Sequence, residues 1–143
     1  MSFFSDYFGR IHPLLVHFPI ALIWIAALAE VRRVWRDSPF LRQSVVWLMG
    51  IGAAAAWITA ASGWLLSNHE HIRADERITL EWHRWLGLAT GLLAGLAWCA
   101  AMVSADSSKR QLRHCAVWGA AGLVTATAHL GALIVWGHDW FSS

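Results

Sequence analysis

Trp85–Ala105 reads WLGLATGLLAGLAWCAAMVSA, twenty-one residues without one Asp, Glu, Lys or Arg. A helix rising about 1.5 Å per residue needs roughly 20 mainly apolar residues to cross the hydrocarbon of a bilayer. This stretch meets that length with no charge to desolvate. Three more stretches behave alike: Ile11 to Ala29, Gln43 to Ile72 broken only by Glu70, and His114 to His138. Backbone N–H and C=O groups in lipid find partners only within a helix or a closed barrel, and runs of this length read as helices. The expected spans are 11–34, 43–67, 82–105 and 113–138.

The whole composition agrees. The chain of 143 residues is 57% hydrophobic and only 14% charged. A soluble domain of this size carries about 25% charged residues, and so few charges do not cover a soluble surface. Mean hydropathy is +0.46. Disordered, collagenous, disulfide-scaffold and soluble nucleic-acid-binding classes are poorly matched, and a net charge of +2 does not suggest a polyanion partner. The polar segments between spans are too short for a second domain. The expected fold is all-α: one integral membrane domain over 1–143, an up-down-up-down antiparallel four-helix bundle. The first span is followed by Glu30-Val31-Arg32-Arg33 rather than a small-residue cleavage site, so it reads as a retained helix.

Basic residues set an expected orientation. Arg32, Arg33, Arg36, Arg42, Lys109, Arg110 and Arg113 flank one side; Arg10, Arg73, Arg77 and Arg84 flank the other. The bias puts both termini outside the cytoplasm, in the periplasm for a bacterial inner membrane. Trp35, Trp82, Trp85, Trp136 and Trp140 fall at the expected interfaces. Gly87, Gly91 and Gly95 recur every four residues, a stripe that permits close helix approach. Glu30 beside Arg32 and Arg33 suggests an interfacial salt bridge.

Seven of eight histidines fall toward the outer side in this topology: His12, His17, His69, His71, His83, His129 and His138, with His114 opposite. His129 lies about 12 Å below the outer end of its helix, at about 1.5 Å per residue. Polar groups at that depth face a bundle interior and default to a functional reading. His12 and His17 are about 140° apart around a helix of 3.6 residues per turn and do not readily clamp one small ion. Ligands spread over the first, third and fourth spans suit a larger group in the bundle core. Haem is such a group, because four-helix bundles build cofactor sites from facing helices. His17 and His83, on diagonal spans, are candidate axial ligands, with His129 an alternative or partnering His12 on a second haem. Ala53 to Ala56, Gly91 and Gly95 would leave room for a porphyrin or serve tight packing. His69-Glu70-His71 is a weaker copper or zinc candidate.

Several signatures are missing from the sequence. No Cys-x-x-Cys-His is present for covalent haem attachment, and Cys99 and Cys115 are too few for an iron–sulfur cluster. No phosphate loop, His-Glu-x-x-His pair or nucleophile elbow occurs.

The run Ile11-His12-Pro13-Leu14-Leu15-Val16-His17-Phe18-Pro19-Ile20-Ala21, with His83-Arg84-Trp85-Leu86-Gly87 and Ala128-His129-Leu130-Gly131, resembles a bacterial family of predicted four-helix membrane proteins of unknown function. The resemblance covers nearly the whole chain. It implies the fold and the histidine set; family members near or fused to c-type cytochromes extend this to electron transfer. A Tyr expected near Trp136 is absent. Together these readings favour a membrane b-type cytochrome, or the haem-bearing membrane subunit of a redox complex, rather than a self-contained enzyme. One or two non-covalent haems would pass electrons between quinone and a periplasmic acceptor such as a c-type cytochrome. The alternatives are a non-catalytic anchor or assembly subunit, and an outer-side copper or zinc protein.

Overall fold

A computed structural model describes residues 3–69, 76–103 and 108–137. Its helices run in the order α1 (Phe3–Arg10), α2 (His12–Leu15), α3 (His17–Trp35), α4 (Pro39–His69), α5 (Arg77–Val103) and α6 (Ser108–Trp136). Four spans are long and apolar enough to cross a membrane: His12–Trp35, Pro39–Asn68, Arg77–Val103 and Arg110–Trp136. Consecutive spans pack side by side, and α3 closes the ring against α6. The spans of α3 and α5 therefore face each other diagonally. The all-α antiparallel bundle expected from the sequence is the fold.

The last three spans begin earlier than the uncharged runs, which mark hydrocarbon rather than helix. Position 39 opens α4 because Ser38 and Pro39 form a start signal. Ser38 Oγ accepts the Leu41 N–H at 3.3 Å, and proline has no N–H to leave unpaired in a first turn. The short α1 lay outside the expected spans. It docks on the end of α4 through buried Gly9, where a Cβ would sit 2.9 Å from Leu66 N.

The first span is interrupted at Val16, between α2 and α3. Pro19 cannot donate to the carbonyl of Leu15, four residues earlier, so that oxygen is left for another partner. Thr59 Oγ1 on α4 donates to it at 3.2 Å. A local proline thus becomes a tie between two spans.

The core lies in the middle of the bundle and toward the arginine-rich end. Of its twelve clustered residues seven are alanine (Ala26, Ala27, Ala53, Ala94, Ala97, Ala120 and Ala121), so the helix backbones approach closely. Two tryptophans supply bulk where glycine makes room. A Cβ on Gly91 would meet the Trp57 indole at 3.1 Å, and one on Gly50 would meet Trp98 at 2.8 Å. Of the expected glycine stripe, only Gly91 is tightly covered; a Cβ on Gly95 would meet nothing within 4 Å. The room at Gly91 is taken by an indole, which is the packing role. Trp35, Trp82, Trp85 and Trp136 are exposed to the surroundings of the bundle, while Trp140 lies outside the described residues.

Glu30 is 2% exposed and keeps one of the two partners expected, Arg33, while Arg113 takes the place of Arg32. Arg33 reaches its Oε2 at 2.9 Å and Arg113, from α6, its Oε1 at 2.8 Å. Arg32 is exposed, because one position along a helix is a turn of about 100°.

Candidate functional site

Two of the four candidate histidines come together. His12 on α2 and His83 on α5 meet across the diagonal with ring centroids 6.2 Å apart and planes 86° apart. Each ring is held by the following span in the same manner. His12 Nδ1 donates to the Thr59 carbonyl at 3.0 Å and lies 3.1 Å from Ser62 Oγ. Ser62 Oγ itself donates to the Thr59 carbonyl at 2.8 Å. His83 Nδ1 donates to the Thr127 carbonyl on α6 at 2.9 Å.

A glycine lies four residues beyond each of these threonines. A Cβ on Gly63 would sit 2.6 Å from His12 Cε1, and one on Gly131 would sit 3.0 Å from His83 Cε1. Positions i and i+4 share a helix face, so carbonyl and glycine address the same ring. The two halves of the bundle thus repeat one device: a histidine on the first helix, Thr-x-x-x-Gly on the second. Thr59–Gly63 and Thr127–Gly131 carry it. Sequence reasoning singled out the histidines but passed over this repeated spacing, which was present to be read.

The floor of the second half is also tied. Thr90 Oγ1 lies 3.1 Å from Thr127 Oγ1 and each hydroxyl is within reach of the carbonyl four residues earlier, so one proton can bridge the two threonines while the other goes to its carbonyl.

A carbonyl accepts only, so Nδ1 carries the proton of each neutral imidazole. That leaves Nε2 with its lone pair, and no hydrogen-bond partner of either Nε2 occurs among the described residues. This is the tautomer a metal ligand requires, with the opposite nitrogen fixed by a backbone carbonyl.

The other candidates stand elsewhere. His17 is exposed, its Nδ1 3.4 Å from the Leu14 carbonyl, as its angular offset from His12 dictates. The ring facing His83 is that of His12. His129 is exposed as well. It follows Thr127 by two residues, about 200° around the helix, and so turns its back on His83. Depth was readable from the sequence; azimuth was not. His69, His71 and His138 lie outside the described side chains. Cys99 and Cys115 are free and exposed. Among the described residues, no group of three or more His, Cys, Asp or Glu is arranged to hold a metal ion.

No curated protein and no solved structure matches the chain. Residues 10–141 match a family model described as "Predicted membrane protein (DUF2231)". That span contains all four transmembrane helices and both imidazoles of the pair, and the chain belongs to this family of membrane proteins.

Proposed function

We propose that the chain is a membrane b-type cytochrome, or the haem-bearing subunit of a redox complex, in which His12 and His83 would hold the haem iron. The observation that carries this reading is the spacing of the two rings. Two imidazoles that would bind one metal between them through Nε2 need ring centres about 6 Å apart. The rings stand at 6.2 Å.

The protein's own contribution is positional. Thr59 and Thr127 hold the tautomer and make each Nε2 a better donor. Gly63 and Gly131 let the rings lie against the helix backbones. Bound haem would supply reversible one-electron chemistry, with its potential set by the axial ligands and the apolar shell. An acceptor such as a periplasmic c-type cytochrome and a quinol donor suit a site near the end of the bundle that the Lys/Arg bias assigns to the outside of a bacterial inner membrane, where both termini would also lie.

A second reading draws on the same carbonyl bonds: both histidines serve only as ties between spans, in a non-catalytic anchor. Asparagine separates the two. Its amide N–H can replace the Nδ1–H bond, but it provides no imidazole Nε2. The protein purified in mild detergent after expression with haem supplied should give a reduced-minus-oxidised b-type spectrum. His12→Asn and His83→Asn should each abolish it while keeping the fold. A colourless parent protein, or full pigment in both variants, would overturn the haem reading.

A further inference from the structure

The arginine-rich end of the bundle holds a second site, independent of the imidazole pair. A cleft of about 390 Å³ opens between the end of α3 and the start of α6, lined by Glu30, Arg33, Asp37, Arg110, Arg113 and His114 among others. Its two carboxylates are already engaged. Glu30 is held by Arg33 and Arg113, and Asp37 by Arg33 at 3.1 Å and Arg42 at 2.7 Å. Arg110 is the cation left over: it is exposed, with no carboxylate partner among the described residues. Beside it lies the start of α6, the positive end of a 29-residue helix.

The geometry points to a binding site for a phosphate group, with the headgroup of an acidic phospholipid as the source that the position favours. Arg110 supplies a planar fork matched to two phosphate oxygens. The Glu30–Arg33–Arg113 network holds the cleft wall in place and keeps its carboxylates from repelling the anion. The cleft sits at the end of two spans, where headgroups would meet it, and Trp35 and Phe40, close to its residues in sequence, are exposed. Basic pockets between spans at a cytoplasmic surface suit anionic headgroups in this manner.

The test titrates the detergent-purified chain with short-chain phosphatidylglycerol, short-chain phosphatidylcholine or inorganic phosphate, reading the thermal unfolding midpoint by tryptophan fluorescence. Phosphatidylglycerol should raise the midpoint and phosphatidylcholine should not. Arg110→Gln, an exposed position that leaves the Glu30 network intact, should shift the titration to roughly tenfold higher lipid, the loss of one charge-assisted hydrogen bond. Arg32→Gln, exposed and outside the cleft, should leave it unmoved. Inorganic phosphate acting alone, and losing its effect in Arg110→Gln, would support the site with the free ion as its source. Equal responses to both lipids with none to phosphate, an Arg110→Gln curve matching the parent, or an equal shift in Arg32→Gln would overturn the proposal.

Discussion

His12 and His83 stand 6.2 Å apart, ring centre to ring centre, each pinned by a threonine carbonyl and pressed on a glycine from the next span. Adding one methyl group beneath each ring tests how closely it is held. The Cβ of Gly63→Ala would lie 2.6 Å from His12 Cε1, that of Gly131→Ala 3.0 Å from His83 Cε1. Neither ring can step aside without lengthening its carbonyl bond. Overpacking of this kind costs about 1–3 kcal/mol, and Gly63→Ala should be the costlier. Denaturant unfolding in mild detergent measures both; no loss in either would show the rings to be loosely held.

Exposure separates the four candidate histidines without reference to any cofactor. His17→Ala and His129→Ala remove exposed rings and should change unfolding stability by within about 0.5 kcal/mol. His12→Ala and His83→Ala delete an interhelical hydrogen bond and open space between spans, and should each cost about 1–3 kcal/mol. Thermal melts of the four variants side by side decide it. A cost at His129 equal to that at His83 would place His129 in a contact the present packing does not contain.

The four spans were legible because desolvating charge dominates in a bilayer, and runs such as Trp85–Ala105 carry none. Helix starts were less legible, since polar turns beyond the hydrocarbon keep helical hydrogen bonds; Ser38-Pro39 was the signal that could have moved the start of α4. That His12, His17, His83 and His129 share one end was also visible. Which of them meet was not, because that depends on rotation of each helix about its axis. His17 and His129 are at plausible depths but on exposed faces. The Arg113–Glu30 pair joins residues from the first and last spans, and no local pattern around Glu30 pointed to α6.

Asp37, in the turn between α3 and α4, links stability to acidity. The hydrogen bond from Arg42, aided by Arg33, holds its carboxyl below the ordinary value of 3.8. A carboxyl whose folded pKa is depressed contributes stability that is complete above its unfolded pKa and is lost as pH falls through the folded one. The turn should therefore weaken only below about pH 4, with Asp37→Asn removing that part of the acid dependence. The side chain is about one-third exposed (34%), so screening by water and salt keeps the effect small. Unfolding midpoints measured from pH 6 to 3 in parent and variant should converge at the acid end. Parallel curves would show that Asp37 gains nothing from its arginines in the fold.

Glu30 and Arg113 are 2% and 3% exposed and join α3 to α6 at 2.8 Å, with Arg33 on the second carboxylate oxygen. The arrangement is asymmetric: one carboxylate serves two guanidinium groups. Removing one member of a buried pair costs about 3–5 kcal/mol, because a charge remains without its counter-ion. Glu30→Met breaks two ion pairs at once and should fall at the upper end of that range. Arg113→Met leaves Glu30 with Arg33 and should cost less. Adding Arg113→Met to Glu30→Met should recover part of the loss, since the second change removes the buried guanidinium that Glu30 neutralises. A double-mutant cycle by denaturant unfolding reads the coupling directly. Strict additivity would mean that the two charges do not stabilise one another across the bundle, and that α3 and α6 are held together at this end by the apolar contacts beside them, such as Trp24 edge-on to Trp118 at 5.8 Å.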